Sequence, residues 1–219
     1  MKHLAISTSL ISMSFAAMLA AATPAHSWSG FYVGATIGGG VTELTLTSDD
    51  GVEFNDSEEN FTAMLIGGYE RPLTSRFFAA GEVYMDGNDT VFLLASEDTP
   101  VRREFRNNLR LGANGVLGAY LRSGIQNSAV YVFVGPHWQY WEDSISGTEN
   151  RVPLADERVY TGFQVGLGGR HIFTNSFGVR LDYRFVQVRP SSNIAFSAGD
   201  VERQTMGHEF SIGVTYSIF

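Results

Sequence analysis

Residues 208–219 read HEFSIGVTYSIF, and in them Phe210, Ile212, Val214, Tyr216 and Ile218 alternate with Ser211, Gly213, Thr215 and Ser217. A period of two, with one apolar face and one small polar face, is how a membrane-crossing β-strand reads. In lipid such a strand must pair every backbone N–H and C=O with a neighbour, and the sheet must then close on itself. The ending of the chain therefore implies a barrel. Phe219 itself is out of phase, because Tyr216 and Ile218 belong to the face opposite its own. The regular strand either stops at Ile218 or is shifted by a bulge.

The beginning of the chain agrees. Lys2 and His3 lead into an Ala-rich apolar stretch, residues 4–22, followed by Thr-Pro-Ala-His-Ser. This is the layout of a secretory signal peptide with cleavage after Ala25 or Ser27, so residues 1–27 are expected to be removed and 28–219 to form one domain. Lys2 is the only lysine, which leaves 14 Arg against 23 Asp plus Glu in the remainder. That acidic balance excludes an ordinary nucleic-acid binder. With no cysteine in the chain, disulfide scaffolds and Cys-based metal or redox sites are excluded as well.

Eight alternating segments recur, at residues 28–47, 60–70, 77–86, 105–121, 129–141, 159–172, 177–189 and 205–219. Their connections differ in length and chemistry. Residues 48–59, 87–104, 142–158 and 190–204 are long and rich in Asp and Glu, whereas RPLTSR (71–76), RSGIQNS (122–128) and FTNS (173–176) are short and contain no acid. Long loops on one rim and short turns on the other are the signature of an up-and-down transmembrane barrel with an even number of strands. The fold expected is all-β: an eight-stranded antiparallel barrel whose polar lumen is filled by side chains.

Alternation also assigns direction. In the seventh segment Val179, Leu181, Tyr183 and Phe185 alternate with Arg180, Asp182 and Arg184. An arginine aimed into lipid at mid-depth costs about 2–4 kcal/mol, so the charged set must face inward. The same parity turns Arg170, Arg110 and Glu82 inward, with Asp86 on the face of Glu82. Eight strands leave room only for their own side chains. Glu82 or Asp182 is accordingly expected to pair with Arg110, Arg170, Arg180 or Arg184 in an ionic plug. Glycines 38–40, 67–68, 166 and 168–169 lie within strands, where they would make room for bulky lumen arginines. Aromatic girdles are expected at both interfaces: Trp28, Phe31, Tyr69, Phe77, Phe78, Tyr120 and Phe177 on the short-turn side, Trp138, Tyr140, Trp141 and Tyr160 on the other.

The opening Trp28-Ser-Gly-Phe-Tyr-Val-Gly-Ala-Thr-Ile-Gly-Gly-Gly40 resembles the first strand of small Gram-negative outer-membrane β-barrel proteins, especially the alphaproteobacterial 25/31 kDa surface-antigen group and OmpA-like and OmpX-like barrels. The stretches 81–86 (GEVYMD), 161–168 (TGFQVGLG) and 179–184 (VRLDYR) are similar to the family's third, sixth and seventh strands. The resemblance implies a multi-pass protein of the outer membrane, surface-exposed and often antigenic, sometimes porin-like, with no catalytic residues. Its partners would be outer-membrane lipid and lipopolysaccharide, the barrel-assembly machinery through a C-terminal strand of Phe210, Ile212, Val214, Tyr216, Ile218 and Phe219, and a host or surface ligand at the long loops.

No enzymatic pattern competes with this. A lipid hydrolase needs a nucleophile, a His base and an orienting acid. His26, His137, His171 and His208 sit in no such sequence pattern, and residues 49–59 lack the ligand spacing of a calcium loop. No cofactor and no metal are expected. The function expected is a non-catalytic structural or surface-interaction protein, with a small diffusion channel as the alternative and a lipid-modifying enzyme as a third, weaker reading.

Overall fold

The structure is a computed structural model that describes residues 29–48, 53–95, 102–121, 127–146, 156–173, 176–188, 195–196 and 199–218. The proposed signal peptide, Trp28 and Phe219 lie outside the described residues. Among the described residues, eight long strands form: β1 (Gly30–Ser48), β2 (Glu53–Pro72), β3 (Phe77–Ala95), β4 (Arg102–Leu121), β5 (Ser128–Ser146), β6 (Asp156–Ile172), β7 (Phe177–Val188) and β9 (Gly199–Ile218). The two-residue β8 (Ala195–Phe196) pairs with the first turn of β9 at the long-loop end.

Each long strand pairs antiparallel with its sequence neighbour, and β9 returns to β1 from Phe31↔Ile218 to Ser48↔Val201. This ring leaves no open edge, as the terminal alternation required. Even-numbered residues such as Tyr32, Met64, Glu82 and Arg180 are buried inside, whereas odd-numbered ones such as Val83 and Leu65 are 62% and 57% exposed on the outer face. An outer surface of this kind is stable only against lipid. In β4 the register shifts between Asn107 and Leu109, so Asn107 and Arg110 are both buried despite their odd spacing.

The strands run further than the alternating segments suggested. The outer face of β1 stays apolar from Phe31 to Val41 and turns polar at Glu43, yet pairing with β2 continues to Thr47↔Glu53. Much of the expected long loops is therefore strand: parts of 48–59, 87–104, 142–158 and 190–204 extend the hairpins past the apolar band by roughly 15–20 Å. Outside lipid the ladder still satisfies the backbone, and nothing forces it to stop.

Four girdle assignments need correction, two at each interface. Phe31, Tyr69, Phe77 and Phe177 are exposed on the outer face, where Phe31 meets Tyr69 at 4.9 Å and Phe177 meets Tyr216 at 5.2 Å between ring centroids. Phe78 and Tyr120 instead point inward. Trp141 and Tyr160 are also inside, packed with Leu44, Val186 and Val188 as an apolar cap over the lumen. Strand parity decides this: Trp141 is in phase with His137 and Gln139, both buried. Tyr140 lies outside and Trp138 is half-buried.

Candidate functional site

Inward residues of all eight long strands assemble the lumen into three tiers of charge. Nearest the short turns, Arg170 of β6 forks onto Glu70 of β2, with Nη1 at 2.6 Å from Oε2 and Nη2 donating to Oε1 at 2.7 Å. Tyr120 donates to the same Oε1 at 2.7 Å, and the guanidinium lies 4.6 Å over the Phe78 ring. The Nη2 bond is charge-assisted and so among the stronger kind, and the Nη1 contact adds an ion pair.

The second tier has two carboxylates and one guanidinium. Arg180 donates from Nη1 to Glu82 at 2.8 Å and from Nε to Asp182 at 2.7 Å. The surplus negative charge is met by two phenols, Tyr32 donating to Glu82 and Tyr131 to Asp182, each at 2.6 Å.

The third tier is a closed ring of alternating charge. Arg110 Nη2 donates to Asp86 at 2.5 Å and its Nη1 to Glu209, while Arg184 Nη2 reaches Asp86 at 2.8 Å and Glu209 at 2.5 Å. All four side chains are almost fully buried. Beside the ring runs a directional hydrogen-bond chain. Trp141 Nε1 donates to Gln139 Oε1, Gln139 Nε2 to His137 Nε2, and Tyr84, 2.6 Å from His137 Nδ1, donates to Gln164 Oε1. Followed from donor to acceptor, it assigns the proton of His137 to Nδ1.

Glycine makes room for these tiers, but for aromatic rings more than for arginines. Tyr32 lies opposite Gly68, Tyr84 opposite Gly112, Phe78 opposite Gly118, Phe133 opposite Gly166 and Tyr131 opposite Gly168. A Cβ at any of these five glycines would run into the facing ring. Three of those rings in turn carry the arginines, since Arg180 and Arg184 sit 5.4 Å over Tyr131 and Tyr84 as Arg170 sits over Phe78. A cavity of about 10 Å³, lined by Met64, Glu82, Tyr84, Arg180, Arg184 and Glu209 among others, is at the threshold for one water molecule.

A sequence model of the outer membrane protein β-barrel domain matches residues 8–217. The chain belongs to that family. It is thus a multi-pass β-barrel of the Gram-negative outer membrane, and in such barrels the short turns face the periplasm and the long hairpins the exterior. Among curated proteins, none matches the sequence. Among solved structures, Neisserial surface protein A is similar at 16% identity over 88% of this chain and 100% of that one, with a TM-score of 0.50. Ail, the attachment invasion locus protein of Yersinia pestis, is 9% identical over 86% and 99% with a TM-score of 0.40. OprG from Pseudomonas aeruginosa is 13% identical over 88% and 97%, also at 0.40. At these identities the likeness speaks to fold alone.

The structure places all six sequence-assigned lumen charges inside the barrel, but redistributes their partners. Glu82 and Asp182 both pair with Arg180, whereas Arg170 takes Glu70, and Arg110 and Arg184 share Asp86 and Glu209. Glu70 and Glu209 were the missing acids. Parity could have found Glu209, which shares a face with Ser211 and Gly213. In the terminal strand, Phe210, Ile212, Val214, Tyr216 and Ile218 form the outer stripe, each 44–50% exposed.

The histidines go to three environments. His137 is in the lumen, and His208 is exposed on the outer face, its Nδ1 2.7 Å from the Tyr183 hydroxyl. His171 Nδ1 lies 2.8 Å from Ser128 Oγ near the short-turn rim, a pairing without a sequence signature. Both residues are buried, and among the described residues no ion pair joins His171 to an acid.

Proposed function

We propose that this barrel is a sealed, non-catalytic surface protein, whose lumen fastens the wall and whose exterior hairpins make its contacts. The observation that carries this reading is the filled lumen: three tiers of paired charge lie along its axis and the cavity between them has a volume of about 10 Å³. Ions crossing it would have to displace buried ion pairs, each costly to break. A channel role is the alternative, and steady conductance would establish it in place of the sealed reading. The Ser128–His171 pair is buried and, among the described residues, is joined to no carboxylate, whereas nucleophilic catalysis needs both access and an orienting acid.

On this reading the activity sits in the hairpins, where the acidic residues are concentrated, and their ligand is a host or environmental surface. Kinship with the alphaproteobacterial surface-antigen group and contact of the C-terminal strand with the assembly machinery belong to the same proposal. The test is to replace residues 45–55 with Asn-Gly, joining Leu44 to Asp56, which face each other in the ladder. The shortened barrel should still migrate as a folded, heat-modifiable band while adhesion of cells bearing it falls. Unchanged adhesion after shortening each of the four exterior hairpins would reject the surface-contact role.

A further inference from the structure

Outside the lumen, charge is distributed very unevenly in this chain. Every acid not in the lumen falls in the sequence stretches 43–59, 89–104, 142–157 and 200–202, those of the four long hairpins. The periplasmic turns carry Arg71, Arg76 and Arg122 and no acid at all. Neither the stability of the barrel nor contacts at the exterior hairpins explains an arginine-bearing rim on an acidic protein.

Above that rim the outer wall is grooved. Leu117, Val132 and Leu167 stand directly opposite one another on β4, β5 and β6 and form a ridge across the strands. The next row toward the turns runs Phe77, Ala119, Val130 and Gly169, again in register, and the small Ala119 leaves a trough beneath the ridge. A groove of about 530 Å³ lies along these rows, and Leu73 and Phe77 are among the residues that line it. That size falls within the range of ligand clefts. Leu73 and Phe77 are held by the β2–β3 turn, where Leu73 N–H donates to the Phe77 carbonyl at 2.9 Å. Arg71, next to last in β2, and Arg76, in the turn itself, flank them and are both exposed.

We propose that this groove and the two arginines form a binding site for an anionic glycerophospholipid of the inner leaflet. One acyl chain lies in the trough between the Leu117–Val132–Leu167 ridge and the rim, and the phosphate is met by Arg71 and Arg76. The charge and the groove select the same ligand. The groove opens into the hydrocarbon layer, so its occupant is apolar, and guanidinium groups at headgroup depth favour a phosphate-bearing, net-negative lipid. The arginine-bearing rim faces the leaflet made of glycerophospholipid, away from the lipopolysaccharide of the exterior.

Native mass spectrometry of the folded full-length barrel in detergent tests this, with dioleoyl-phosphatidylglycerol and dioleoyl-phosphatidylethanolamine as probes of identical acyl chains. With a gain of roughly fivefold per arginine near the surface, the native protein should prefer the anionic lipid roughly twenty-five-fold. Arg71→Gln with Arg76→Gln should bring the ratio near one while leaving the residual binding of both lipids. Ala119→Phe, which fills the trough, should weaken both lipids together. If Ala119→Phe fails to give a heat-modifiable band, the arginine pair decides alone, since both side chains are exposed on the outside of the wall. A native ratio near one would overturn the proposal and assign the arginines to a periplasmic polyanion; a preference that survives the double substitution would overturn it equally.

Discussion

Replacing Glu209 by Gln is the most informative single change in the lumen. The side chain is 2% exposed and receives Arg110 from one side and Arg184 from the other, so the isosteric amide removes charge without removing volume. The ring then holds two guanidiniums against Asp86 alone. Leaving a buried charge uncompensated costs about 3–5 kcal/mol, and the near-complete burial of all four members removes the solvent screening that would reduce it. Arg110→Met alone should cost a similar amount, about 3–5 kcal/mol, for the opposite reason. Together the two changes leave Asp86 with Arg184, a neutral pair, so the double variant should be less destabilised than the sum by on the order of 3 kcal/mol. Urea titration of tryptophan fluorescence in lipid vesicles reads these differences, provided the m-value is unchanged. A Glu209→Gln barrel within about 1 kcal/mol of native, or strict additivity in the double variant, would refute a charge ring that acts as a unit.

Further consequences follow from the same geometry. Arg180→Leu should lower the unfolding midpoint by an amount in the same range, because Glu82 and Asp182 lose their common guanidinium; an unchanged midpoint would count against an interior position. Gly118→Ala should cost about 1–3 kcal/mol by driving a methyl into the Phe78 ring, whereas Gly115→Ala, whose nearest contact is 3.9 Å away on the outer face, should be nearly silent in the same titration. Ile37→Cys combined with Ile212→Cys should cross-link in the folded barrel, since these residues face each other across the β1–β9 seam and the chain has no other cysteine to compete. Failure to cross-link beside an outer-face pair that does would place the seam in a different register.

Period-two alternation made the barrel legible, because lipid on one side and a crowded lumen on the other impose the same parity on every strand. It placed Arg180, Asp182 and Arg184 inside from their neighbours Val179, Leu181, Tyr183 and Phe185 alone. It could not say which acid meets which arginine. Arg170 and Glu70 are a hundred residues apart, and their meeting depends on strand stagger around the closed ring, which no local pattern encodes. Strand parity also prevails over interface composition. Trp141 and Tyr160 look like girdle residues, yet they complete the lumen cap because their strands had already fixed their direction. Glycine was seen but its reason was not, since the rings of Tyr32, Tyr84, Phe78, Phe133 and Tyr131 fall opposite glycines only once register is known. The hairpin extensions escaped notice because outside lipid both faces are polar and the alternation fades.

Whether the lumen is sealed is tested most directly by conductance across a planar bilayer holding the refolded native protein at physiological salt. With three tiers of buried ion pairs and room for about one water between them, the current should stay at the bilayer baseline. Steady single-channel steps from a homogeneous, heat-modifiable preparation would contradict a closed lumen.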